Sequence, residues 1–194
     1  MATPTIHSTS TVASSAVLEG DTYVGPHCRI LHGAVLVAGD GAIELGAHVT
    51  VMENAVLRAT ARFPVVIGDH FLIGPHANIS GATVGDEVFI ATGASIFPGA
   101  ALGRGSEVRI NGVVQLRTLL EPGAVVPIGW VAVGTPAVIL PSSEHEEIWA
   151  IQRELDFPGF VFGADRARED VMVQLTERYS KYLGRLYGPT KAED

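Results

Sequence analysis

Apolar residues recur at every sixth position over most of this chain. From Ile67 to Gly103 the sequence divides into the blocks IGDHFL, IGPHAN, ISGAT, VGDEVF, IATGAS, IFPGAA and LG. Their heads are Ile67, Ile73, Ile79, Val84, Ile90, Ile96 and Leu102. Gly68, Gly74, Gly85 and Gly103 stand second, and the fifth position is mostly small, as at Ala77, Ala94 and Ala100. A hexapeptide period predicts a parallel β-helix, in which three flat faces close one triangular coil of about 18 residues. The heads are expected to point inward at the corners of the prism. The small fifth residues give the chain room to turn, and glycine at the second position is read as supplying turn dihedrals.

The same register opens with Ile6, Val12, Leu18, Val24, Ile30 and Leu36, so the Ser/Thr-rich start is the first coil. It slips at Val37–Glu44, read as a loop, and resumes at Leu45, Val51 and Leu57. A second slip, at Arg58–Val66, predicts a loop carrying Arg58, Arg62 and Phe63. The period then holds through Val108, Val114, Leu120 and Val126 to Val131. The expectation is about seven coils, a stack roughly 34 Å tall.

Beyond VAVGTPAVILP, which ends the stack, the period becomes helical. Ser143 and Glu146 fit a capping box, with Ile148, Trp149, Ile151 and Leu155 following at helical spacing. Asp156–Gly163 (DFPGFVFG) is read as a break. A second helix is expected from Asp165, with Val171, Met172, Leu175, Tyr179, Tyr182 and Leu186 on one face and Gly188-Pro189 as its stop. Phe157, Phe160 and Phe162 read as anchors that dock the helices, ahead of a ligand pocket. The chain thus divides into a β-helix over residues 6–141 and packed helices over 142–188.

Composition narrows the function. The chain has 194 residues, is 47% hydrophobic and 18% charged, and carries a net charge of −8. No lysine precedes Lys181. Nucleic acid and anionic membranes both need a basic surface, so neither is an expected partner. The sole cysteine, Cys28, permits no intrachain disulfide and fits a reducing compartment. No basic-then-apolar leader and no bilayer-length apolar run is seen, and a cytoplasmic protein is expected.

The hexad stretch, VTVMENAVLR (Val49–Arg58) before it and VAVGTPAVIL after it resemble the γ-class carbonic anhydrases over roughly residues 10–187. The shortened block Ile79–Thr83 and the helical tail belong to the likeness. The resemblance implies an all-β, left-handed parallel β-helix with C-terminal helices, and a homotrimer. It also implies a zinc ion held between subunits by three histidines, two from one chain and one from the next. Here the matching ligand positions are Arg58, Pro75 and Ser80; the accompanying glutamine is Met52, beside Glu53. The family's Arg-x-Asp pair appears as Ala38-x-Asp40. Zinc takes imidazole, thiolate or carboxylate donors. Arginine cannot be deprotonated in a protein and proline has no side-chain donor. Metal at this site, and carbon dioxide hydration, are therefore not expected.

The remaining histidines do not replace the set. His70 and His76 lie on adjacent faces of a coil, point in different directions and would meet only across a trimer interface; His27 and His32 are not on one face, and His48 is alone. They read as solvent or interface groups. Asp69 and Asp86 read as turn formers.

Three functions stay open. One is a binding module whose inter-subunit cleft takes an anionic or carboxylate ligand, with Arg58 as anchor and Met52, Pro75, Asn78 and Ser80 around it. The competing role for Arg58 is a salt bridge, to Glu53 or a neighbour's acid, that staples the trimer. The second is a coenzyme A-dependent hexapeptide acyltransferase, with Arg104, Arg109 and Arg117 on the phosphates and His76 or His70 as base; Val138 replaces the basic residue of the usual transferase ending. The third is a metal-free hydrolase or lyase, in which Arg58 polarises the substrate and Glu53 or His76 moves a proton. No resident cofactor is expected.

Overall fold

A computed structural model describes residues 2–188. Short parallel strands wind through seven coils of a left-handed β-helix with three faces. The first face is a ladder of seven two-residue strands, from Thr11–Val12 through Thr50–Val51 and Leu72–Ile73 to Val125–Val126. The second includes Val56–Arg58, Asn78–Ser80, Ser95–Ile96 and Val113–Val114. It is closed by the antiparallel pair Trp130–Val133 and Val138–Pro141. The third runs through Val65–Ile67, Thr83–Val84, Ala101–Leu102 and Leu119–Leu120.

Stacking buries the hexad heads: Ile30, Val51, Ile73, Ile90, Val108 and Val126 form one column, each at most 1% exposed. These heads lie within the flat faces, not at the corners. The fifth-position residues also point in, and Cys28, Ala34, Ala55, Ala77 and Ala94 are fully buried. Cys28 Sγ donates to Gly46 O at 3.1 Å, and burial pushes its thiol up.

The turn itself falls at the fourth position. His27, His48, His70 and Glu87 occupy it at one corner, Asn54, His76 and Asn111 at the next, and Arg117 at the third. All have φ between 53° and 59°. Asn and His are enriched among the non-glycine residues that enter this left-handed region, which accounts for much of the chain's histidine. Glycine at the second position does a different job. At Gly68 a Cβ would come 2.8 Å from the Gly85 carbonyl carbon, and at Gly25 2.3 Å from Gly46 O. These glycines permit adjacent coils to approach, and their φ values are ordinary. Asp69 and Asp86 tie the same turns together: Ala47 N–H donates to Asp69 Oδ1 (2.7 Å), and Asp69 N–H to Asp86 Oδ1 (2.9 Å).

Both register slips fall at the corner between the second and third faces. The segment expected as a loop at Val37–Glu44 belongs to one strand, Val35–Leu45, paired with Val17–Val24. Its slip is a bulge, because Glu19 pairs with Val37 whereas Asp21 pairs with Ala42. The second slip is a shorter loop than expected, since Arg58 and Val65–Ile67 are strand.

Three helices follow: α1 (His145–Gln152), α2 (Phe157–Phe162) and α3 (Val171–Tyr187). No capping box forms, as Glu144 caps α1 without a side-chain hydrogen bond. The expected break is itself helical, because the Asp156 side chain accepts from Gly159 N–H at 3.3 Å and starts α2. α3 begins at Val171, later than Asp165, and ends at Gly188 with φ 66°. Pro189 lies outside the described residues. Met172 is 62% exposed and leaves the packed face. Among the described residues no helix is long and apolar enough to cross a membrane.

Candidate functional site

One column of outward side chains on the second face sets the site. Successive rungs place Glu19 beside Val37, Val37 beside Arg58, and Arg58 beside Ser80. The register of the next strand pair puts Phe97 after Ser80. Asn78, two residues before Ser80, accepts a hydrogen bond from its hydroxyl at 3.2 Å.

The helices roof this column. Phe157 meets Phe97 edge-on at 6.2 Å, Phe162 meets Phe157 at 5.6 Å, and Tyr179 meets Phe162 at 5.5 Å. Arg62, from the loop after Arg58, donates to Phe160 O at 2.7 Å. Its guanidinium sits 4.9 Å from the Phe63 ring centroid and 4.6 Å from that of Phe160. Tyr182 OH donates to Asp40 Oδ1 at 2.9 Å, and Arg58 Nη1 donates to Tyr179 OH at 3.4 Å.

Between roof and face lies a groove of about 1130 Å³. Among the described residues Arg58, Arg62, Arg178, Lys181 and Arg185 line it, against one carboxylate, Asp40. That carboxylate is already engaged. Ala61 N–H donates to it at 2.9 Å and, with the Tyr182 hydroxyl, holds it below the usual carboxylate range. Burial, and then the bond to Asp40, push the Tyr182 phenol up to about 12. Arg178 spends one N–H on Gly163 O at the end of α2. The groove is therefore cationic on a chain of net charge −8.

Among the expected ligand-binding residues, the structure brings Arg58, Asn78 and Ser80 together in this groove. Within one chain it leaves Met52, Glu53, Pro75 and His76 out of it. They occupy the turns at the opposite edge of the second face, where His76 N–H donates to Glu53 O at 3.0 Å. Among the described residues Arg58 has no carboxylate within ion-pairing distance, and Glu53 is not its partner. The cations on α3, with Tyr179, Tyr182 and Asp40, were not expected at the site. The signal available was the Tyr179–Tyr182–Leu186 face, whose basic neighbours travel with it.

His48 is not alone. It stacks between His27 and His70, with ring centroids 4.8 Å apart on either side and planes within 20° and 5°. Parallel rings do not converge their lone pairs. Among the described residues no group of three or more His, Cys, Asp or Glu side chains is placed to hold a metal ion. The arginines proposed for coenzyme A phosphates are scattered. Arg104 pairs with Glu87, Arg109 with Glu107 at 3.3 Å, and Arg117 lies 5.4 Å over Phe160.

Comparison with known proteins bears on the family and the fold. No family model matches the sequence. The chain is 30% identical over 151 residues to γ carbonic anhydrase 1, mitochondrial, of Arabidopsis thaliana, covering 75% of this chain and 53% of that protein. Its homologues are γ-class carbonic anhydrases and hexapeptide-repeat transferases. γ carbonic anhydrase 3, mitochondrial, of the same plant is 35% identical over 99 residues, 48% of this chain and 38% of the relative. The chain spans about half the length, or less, of these curated relatives. The fold of this γ-carbonic-anhydrase-like chain is shared with a hexapeptide transferase family protein from Anaplasma phagocytophilum. That match has TM-score 0.51 and 22% identity, and covers 91% of this chain and 92% of the other.

Proposed function

We propose that this is a trimeric γ-carbonic-anhydrase-like protein that has exchanged its metal for an anion site. The groove beside Arg58 binds a small organic carboxylate. The reading is carried by the pairing of Arg58 with Ser80 on adjacent rungs, inside a groove with, among the described residues, five cationic side chains and one committed carboxylate. A guanidinium binds a carboxylate through two parallel N–H donors, a geometry that a point charge lacks. The Tyr179 hydroxyl, which accepts from Arg58 and keeps its own proton, supplies a further donor.

The residues at the resembled ligand positions do not suit zinc. Arg58 puts a fixed positive charge where the cation would sit, Pro75 has no side-chain donor, and Ser80 alone is a weak ligand. No reaction step is therefore routed through a metal. In a trimer, the turn bearing Glu53, Pro75 and His76 of a neighbour would face Arg58. Glu53 and His76 are then the groups placed to move a proton should the bound acid react. The single buried thiol fits a cytoplasmic setting, whereas the plant relatives are named as mitochondrial.

The test is a thermal-shift titration with small carboxylates and, separately, acetyl-coenzyme A, since a ligand of the folded state raises the midpoint. Carboxylates should raise it for the wild type and not for Arg58→Ala, with the trimer intact in both. A shift with acetyl-coenzyme A alone would favour the transferase instead. Dissociation of the Arg58→Ala trimer would make Arg58 structural.

A further inference from the structure

The groove is divided along its length, and the division specifies the ligand more closely than charge alone. Arg58, Ser80 and Phe97 follow one another up a single column of the second face. Arg58 and Phe97 are thus two rungs apart, roughly 9–10 Å at the usual strand spacing. Around Arg58 the surroundings are polar: Asn78, Ser80 and the Tyr179 hydroxyl. Around Phe97 they are mainly apolar: Pro98 beside it, Phe157 against its ring and Phe162 against Phe157, with Ser95 two residues before it on the same face. The Phe97 ring is half-buried, and Phe157 is 37% exposed although it belongs to the aromatic cluster that holds the helices down. Bicarbonate or acetate would occupy only the Arg58 end of a space of about 1130 Å³.

We infer that the groove takes an amphipathic monocarboxylate, its carboxylate on Arg58 and its aromatic or medium-chain body laid against Phe97, Phe157 and Phe162. This rests on the anion site proposed above and adds the apolar half. The rung spacing sets the length: a carboxylate joined to a phenyl ring by two carbons spans the gap, and an acetate does not. Arg58, with Asn78 and Ser80 beside it, sets the end at which the carboxylate lies.

The experiment is isothermal titration of the protein with acetate, hexanoate and 3-phenylpropionate at one pH and ionic strength. Affinity should rise at least about tenfold from acetate to 3-phenylpropionate, the gain expected from burying one apolar body. Phe97→Ala should remove that gain and leave acetate binding unchanged. Phe97→Leu, which keeps an apolar contact under α2, should retain part of it at an unchanged thermal midpoint. If all three acids bind equally to the wild type, the apolar half is wrong and the anion site stands. If none binds, the anion site itself falls. If Phe97→Leu folds with the wild-type midpoint and keeps the full gain while Phe97→Ala unfolds, the Phe97 contact is not the determinant and the inference is overturned.

Discussion

The Tyr182 hydroxyl donates to Asp40 Oδ1 at 2.9 Å, joining the last helix to the bulge of the Val35–Leu45 strand. The partners lie 142 residues apart in sequence, and their bond closes one end of the groove roof. Tyr182→Phe should loosen α3 by about 1 kcal/mol, read as faster hydrogen exchange in Val171–Tyr187 with the coils unaffected.

The same pair makes the docking pH-dependent at both extremes. Tyr182 is raised to about 12 in the folded chain. Its contribution is full below the ordinary phenol pKa of about 10 and is lost as pH rises through the folded value. Asp40 is held low, so its contribution is full above about 3.9 and is lost as pH falls through its folded value. The ultraviolet phenolate titration should show one tyrosine ionising near pH 12, absent in Tyr182→Phe. A normal titration of every tyrosine would break this link.

Close approach of coils predicts which glycines tolerate change. A Cβ at Gly68 would lie 2.4 Å from Asp86 Oδ1 and 2.8 Å from the Gly85 carbonyl carbon. Gly68→Ala should therefore cost roughly 1–3 kcal/mol. Gly105, with φ +69° and nothing within 4 Å, should accept asparagine at far smaller cost, since asparagine enters the left-handed region readily. Denaturant midpoints of the two variants check the contrast.

Ser106 is fully buried, and among the described residues its hydroxyl has no hydrogen-bond partner. It occupies the fifth-position column between Val88 and Ala124. Ser106→Ala removes an unsatisfied group from an apolar stack and should raise stability by about 1 kcal/mol. An unchanged or lower midpoint would mean the hydroxyl is satisfied in solution.

Arg62 holds α2 through one hydrogen bond to Phe160 O and one contact with the Phe160 ring, and stacks on Phe63 in its own loop. Arg62→Ala should cost about 1–2 kcal/mol, felt locally as loss of exchange protection in Phe157–Phe162. Arg62→Lys should recover only part, because an ammonium lacks the planar stacking surface.

The sequence makes the coils legible because one inward residue per block is all the fold needs, and the period repeats that demand down the stack. It misleads over the second-position glycines, whose constraint is contact with the next coil and not a local dihedral. It hides the histidine stack because the two insertions shift the register. His48 follows His27 by 21 residues and His70 follows His48 by 22, not the 18 of a regular coil. The site is half legible. Arg58, Asn78 and Ser80 come from the repeat, where alignment and spacing place them. Arg178, Lys181, Arg185 and Tyr182 come from a helix whose docking angle no hexad records. Asp40 sits at a bulge that, from sequence, looks like a loop.

Crystals grown with zinc and 3-phenylpropionate together, with anomalous differences collected at the zinc edge, test the central claim most directly. The account predicts a carboxylate lying on the Arg58 guanidinium and no anomalous peak beside Ser80. A strong zinc peak there, with Arg58 swung away, would contradict it.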